Sequence, residues 1–202
     1  MNDTTNIVNT HNGHEFVDLG LPSGTLWATC NVGASSPEQA GLYFAWGETT
    51  GYTAEQVKSG ERSFDKKSYK AKNLSADSIS LYLIPEQDTA HINLGGNWRM
   101  STEAQFQELI DNCNAVWMDD YNGTGVKGSI FTSRVNGNSV FFPAAGYCDG
   151  SSVISVGSYG YYWAASGGAL SLAWYLRFGS GYQGLNGYYR YYGYPVRGVC
   201  KK

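Results

Sequence analysis

The chain has 202 residues, 42% of them hydrophobic and only 15% charged, which describes a folded domain with its own core and excludes a disordered one. A formal net charge of −3 excludes a general electrostatic attraction to nucleic acid or to an anionic membrane. No apolar run reaches the ~18 residues of a membrane span.

In chain order, the opening "MNDTTNIVNTHNG" is polar, has no apolar core and does not read as a signal peptide. Residues 1–13 are therefore expected to be a polar tail before a single domain, 14–202. "HEFVDLGLPSGTLWATCNVG" predicts two strands, about residues 15–19 and 25–30, joined by an "LPSG" turn. In "SPEQAG", Ser36 as N-cap, Pro37 at N1 and Gln39 at N3 predict one helical turn stopped by Gly41. "LYFAW" follows as a buried strand or aromatic plug, and residues 49–80, polar and mixed in charge, as a surface excursion with one short helix. "PEQDTAHINLGG" predicts a further helical turn ending at Gly95.

The strongest helix signal is "RMSTEAQFQELIDNC". Thr102 and Gln105 fit a capping box, and Phe106, Leu109, Ile110 and Cys113 fall on one face at i, i+3, i+4, i+7. "GSIFTSRVNGNSVFFPAAG" predicts a hairpin, with Asn136-Gly137 as a two-residue primed turn and Pro143 ending the second strand. "YGYYWAAS", "LAWYLRFGSG" and "YPVRGVC" predict further strands. In the middle one, Trp174, Leu176 and Phe178 alternate with Ala173, Tyr175 and Arg177, the pattern of a half-buried strand with one wet side. The expected fold is α+β, with short antiparallel strands, two or so helices and much loop.

Catalytic and metal-binding signals are weak. After Asp149 there is no Asp or Glu, and His11, His14 and His91 all lie in the first half. No GxSxG occurs, and Asp119-Asp120 and Glu103/Glu108 read as solvated acids rather than a glycosidase pair. Cys148 has no basic sequence neighbour to lower its pKa. The four cysteines form no CxxC, three disulfide pairings stay open, and small buried thiols are the plainer reading. "DDYNGTG" (119–125) reads as an Asx-rich turn rather than a calcium loop. The expectation is a protein that is not an enzyme, with no cofactor and no metal.

Residues 179–195, "GSGYQGLNGYYRYYGYP", are nearly all glycine and tyrosine. Trp163, Trp174, Leu176 and Phe178 are expected in the core, while Tyr182, Tyr188 and Tyr189 are expected in an exposed, glycine-punctuated loop. Tyrosine offers about 150–250 Å² of contact and a hydrogen-bonding tip, at the cost of two torsions. Antibody combining sites favour Tyr, Ser, Gly and Asn for this reason. The segment is expected to be a recognition surface.

The ordered set "EFVDLGLPSGTLWATCNVGA", "YFAWGE", "GGNWRMSTEAQFQELI", "FFPAAGY", "YGYYWAAS" and "YYGYPVRGV" resembles the Fibrobacter-type major paralogous domain, across about residues 14–199. Such domains are common in Bacteroidetes proteins and their phages, and the resemblance implies a C-type-lectin-like fold. Ser101 stands where that family usually has proline, and "YGYPVR" departs from its usual "GFSVR". The EPN and QPD motifs are absent, so calcium-dependent sugar binding is not implied.

Residues 163–197 are similar to the variable region of target proteins of diversity-generating retroelements, in which template adenines are miscopied. What this implies is a non-enzymatic protein with a diversified binding face on a fixed scaffold. The implied ligand-binding positions are Gly167, Gly168, Ala169, Leu170, Ser171, Leu172, Arg177, Gly179, Tyr182, Gly184, Asn186, Gly187, Tyr188 and Tyr189, most of them residues reachable from an asparagine codon by adenine changes. Gln183 is not reachable in this way and reads as scaffold. The implied partner is a cell-surface protein or glycan, with no nucleic acid and no membrane insertion; the implied carrier is a phage tail or a bacterial surface, extracellular-facing, with an oligomer open. The alternative is a structural or adhesion module of a cell-envelope protein, without diversification.

Overall fold

A computed structural model describes residues 9–71, 82–169 and 171–201. The largest sheet draws on both ends of the chain. β1 (Thr10–His11), β2 (His14–Asp18) and β3 (Thr25–Asn31) run antiparallel, and β13 (Arg197–Lys201) inserts between β3 and β4 (Arg99–Met100). Thr10 and His11, polar tail by composition, are drawn into this sheet by pairing with Glu15 and His14. Asn12 and Gly13, which join these strands, both have positive φ, the geometry of a two-residue primed turn.

The three α-helices among the described residues start where side chains satisfy their first amides. Thr53 and Gln56 form a reciprocal box at α1 (Ala54–Lys58). Asp88 caps α2 (Thr89–Leu94), which ends at Gly95 with φ 70°. Thr102 and Gln105 form the expected box at α3 (Glu103–Asn112). Phe106 and Leu109 of α3 are fully buried, and Phe106 lies 5.6 Å from the Trp27 ring. Ser36 starts no helix: its hydroxyl turns to Glu38, and Gln39 Oε1 accepts from the Ser35 amide at 2.9 Å, so residues 35–39 close a turn instead.

β5 (Cys113–Met118), β6 (Gly128–Ser133) and β7 (Ser139–Pro143) form a three-stranded sheet. The β6–β7 connection is not the two-residue turn that Asn136-Gly137 predicts. Ser133 N–H donates to Asn138 O at 2.8 Å, leaving a four-residue loop, and of the Asn-Gly pair only Gly137 has positive φ. The loop is held open from outside, because Asn136 and Asn138 Nδ2 both donate to the Asp18 carbonyl. β8 (Tyr147–Asp149) pairs with β9 (Ser152–Ile154), and β10 (Gly160–Gly167), β11 (Leu172–Gly179) and β12 (Tyr182–Tyr189) form the sheet that carries the C-terminal segment. The architecture is α+β, with mostly antiparallel strands and few helices. Among the described residues no helix is long and apolar enough to cross a membrane.

β11 is sandwiched between two apolar clusters. Leu176 and Phe178 join Trp27, Phe106, Phe142 and Tyr162 on one side. Ala173 and Tyr175 join Trp46, Trp163 and Tyr194 on the other. Both faces of the strand are therefore largely covered, contrary to the expected wet side, with Arg177 half-buried. The exception is Trp174, read as core by its place in the alternation but exposed where it pairs with Gly187.

Two buried cations tie the frame. Arg62 and Glu48 pair at 2.7 Å, and Glu48 also accepts the Lys70 amide, which pins the excursion after residue 49 to the body. Arg197 is fully buried with no carboxylate: Nε donates to Asn31 Oδ1, and the terminal nitrogens donate to the carbonyls of Ala28, Thr29 and Phe141, at 2.9–3.0 Å. Its guanidinium lies 4.3 Å from the centre of the Phe142 ring. Burial lowers its pKa from the ordinary value.

Candidate binding face

The glycine- and tyrosine-rich segment is a strand, not a loop. β12 pairs along its whole length with β11, Gly179 opposite Tyr182 through Leu172 opposite Tyr189, without a bulge. Its eight residues span about 24 Å along one edge of the three-stranded sheet. Glycine and asparagine lower its strand signal, and pairing with β11 compensates.

Tyr182, Tyr188 and Tyr189 are exposed, at 46%, 40% and 43%, and Trp174 is exposed at 37%. The rings behind them are not. Tyr175, Tyr161, Tyr194 and Trp163 are buried, and Trp163 stacks on Tyr194 at 4.1 Å. From Tyr194 the contacts run outward through Tyr192 (6.5 Å) to Tyr188 (4.9 Å) and Tyr189 (5.5 Å). Tyr191 closes the array, stacked on both Tyr189 and Tyr192. The aromatic run thus grades from core to surface, and the outer rings rest on a fixed aromatic base. Burial pushes the Tyr175 phenol up to about 12 and raises Tyr194 and Tyr192 as well.

The other end of the face is built on Arg177. It stands opposite Gly184, which has no side chain to cover it. Its guanidinium lies 4.5 Å from the Tyr159 ring centre, 5.7 Å from Tyr161 and 5.8 Å from Tyr182. Tyr182 lies over Gly184, and Asn186 Nδ2 donates to its phenol oxygen at 3.1 Å. Beside it opens a cleft of about 770 Å³ lined by Trp117, Asp119, Lys127, Tyr159 and Tyr182.

The other positions from the sequence divide by environment. Ala169, Ser171 and Gly187 are exposed; Gly167, Gly168, Leu172, Arg177, Gly184 and Asn186 are half-buried. Leu170 lies outside the described residues. Gly179 is not on the surface: it is buried beneath Tyr159, whose ring would lie 2.8 Å from a Cβ there. Ser171 and Leu172 meet the far end of β12, where the Arg190 amide donates to Ser171 O and Arg190 Nε to Leu172 O. Gln183, read as scaffold, is exposed on β12. Sequence reasoning missed Tyr159, which comes from outside the segment, and Trp174, set aside as framework. The exposure of Trp174 had one sequence signal, the glycine content of the strand that pairs with it.

The chemical candidates elsewhere are placed as follows. Cys113, Cys148 and Cys200 are buried and Cys30 half-buried, all as free thiols. Burial raises the Cys113 thiol to about 11 and lifts Cys148 and Cys200 too, away from thiolate. Asp119 binds Lys127 at 3.1 Å and accepts from Trp117 Nε1, and Asp120 accepts the Gly125 amide, closing the loop of residues 120–125. Among the described residues, no group of three His, Cys, Asp or Glu side chains is placed to hold a metal. No family model matches this chain, and neither does any curated protein or solved structure.

Proposed function

We propose that this chain is a non-enzymatic binding protein whose ligand face is formed by β12, the adjoining part of β11 and the connection before it. The reading rests on one observation: Tyr182, Tyr188 and Tyr189 stand in solvent, Tyr188 and Tyr189 joined through Tyr192 to the buried aromatic base and Tyr182 packed beside Arg177. Rings fixed from behind lose little freedom on binding, so a few of them can carry most of the affinity. We extend this to the resemblance in the sequence. The chain is a diversity-generating retroelement target protein on a C-type-lectin-like scaffold, carried by a phage tail or a bacterial surface, and its ligand is a cell-surface protein or glycan. Support for the scaffold comes from β13, which returns beside β3 and locks the main sheet through Arg197.

Replacing Tyr182, Tyr188 and Tyr189 together with alanine tests this reading. Binding of labelled protein to a panel of Bacteroidetes cells should be lost, with the melting temperature within about 3 °C of wild type. A large fall in melting temperature would return these rings to the core. For diversification, the test is the gene's neighbourhood: a template repeat differing at adenines, beside a reverse transcriptase gene.

A further inference from the structure

Arg177 is the one part of this face that is chemically incomplete. Among the described residues no hydrogen bond or ion pair reaches its guanidinium, and its Nε is buried without an acceptor. Its terminal nitrogens are not buried in this way and keep contact with solvent. Among the described residues the buried arginines find oxygen at their terminal nitrogens: Arg62, whose Nε also lacks an acceptor, has Glu48 and the Ser68 carbonyl, and Arg197 has three carbonyls besides Asn31. Asp119, the acid in the cleft beside Tyr182, is already engaged by Lys127 and Trp117. Tyr159, Tyr161 and Tyr182 crowd the guanidinium, their ring centres 4.5, 5.7 and 5.8 Å away, which restricts it and removes part of its hydration.

A planar fork with unpaired donors, packed among aromatic rings and open at its tip, matches a carboxylate accepting two parallel N–H bonds. We propose that the partner of this face is a protein that inserts an aspartate or glutamate carboxylate beside Tyr182 to pair with Arg177. The proposal rests on the binding-face reading above and adds the chemistry that reading lacks. A protein suits the geometry better than a sugar unit does. The exposed rings are spread along the ~24 Å of an edge strand, a footprint on the scale of a protein contact. Gly187, exposed and without a side chain, leaves the backbone of that strand open for an extended acidic segment to approach.

The test is to pan a random peptide display library on the wild-type protein. The Arg177→Gln, Arg177→Lys and triple tyrosine-to-alanine variants are panned in parallel, after their melting temperatures are measured. The expected result is enrichment of Asp- or Glu-containing peptides that bind Arg177→Gln about tenfold more weakly. Arg177→Lys, which keeps the charge but not the fork, should be weakened as well, and it guards against a folding defect in the neutral variant. Peptides without acids, or acidic peptides that bind Arg177→Gln equally well, overturn the carboxylate pairing. If those peptides still depend on the three tyrosines, the binding face itself stands; if they ignore both sets of changes, it falls too. Arg177-dependent retention of uronic or sialic acids on a glycan array, with no acidic peptide enriched, overturns the protein partner.

Discussion

Tyr182 lies back along its own strand over Gly184, so close that a Cβ at Gly184 would sit 2.6 Å from its phenol oxygen. The obstacle is the far end of an exposed side chain, which can swing away. Gly184→Ala should therefore change stability by no more than about 0.5 kcal/mol, while displacing Tyr182 from Asn186 and Arg177 and weakening binding. Gly160→Ala is the contrasting case. Its Cβ would meet the buried Phe178 ring at 2.2 Å, and the expected loss is about 1–3 kcal/mol or more. Urea unfolding of both variants, with a binding assay on the first, checks the pair. Equal losses of stability would show that Tyr182 is not free to move.

Arg197 holds three strands by one side chain. Arg197→Leu leaves Asn31 Oδ1 and the carbonyls of Ala28, Thr29 and Phe141 without that donor in a dry interior. The expected cost exceeds about 4 kcal/mol, and Arg197→Lys, which cannot span all four acceptors, should recover less than half of it. Equilibrium urea unfolding measures both.

Ser101 is fully buried, and its hydroxyl has no partner. The backbone keeps its role, since Ser101 O accepts the Ala165 amide at 2.7 Å, so only the side chain is misplaced. Ser101→Ala should stabilise the protein by about 1 kcal/mol, a rise of about 2–4 °C in melting temperature. A fall by calorimetry would mean that the hydroxyl finds an acceptor in solution.

Asp65 accepts from the Ser63 hydroxyl and from the Ser68 amide at 2.8 Å, and these bonds, the Ser63 one first, hold its pKa at about 2. The ionised form is the one the fold prefers. Its contribution is complete above the ordinary carboxylate value and is lost as pH falls through about 2. NMR titration of the Asp65 carboxyl and the Ser68 amide should show a common midpoint near 2, and Asp65→Asn should abolish the amide shift. A midpoint near the ordinary value would remove the turn's preference for the charged form.

What the sequence made legible was local. The Thr102–Gln105 box, the Gly95 stop and the β6–β7 hairpin depend on residues a few positions apart, and all three are present. The failures came from partners distant in sequence. The Asn136-Gly137 turn is opened by Asp18, more than a hundred positions away. β12 is a strand because β11 pairs with it, although its own glycines argue for a loop. Trp174 alternates correctly with Leu176 and Phe178, yet it lies at the end of the pattern where packing gives out. For the site, composition gave the exposed tyrosines. It was silent on Tyr159, which shapes the Arg177 pocket from outside the segment.

The strand that completes the main sheet, β13, is translated after the whole aromatic segment. Any copying error in that segment that shifts the reading frame also destroys β13 and with it the Arg197 clamp, so the product cannot fold. Substitutions on the face leave that closing strand intact, and frameshifts do not.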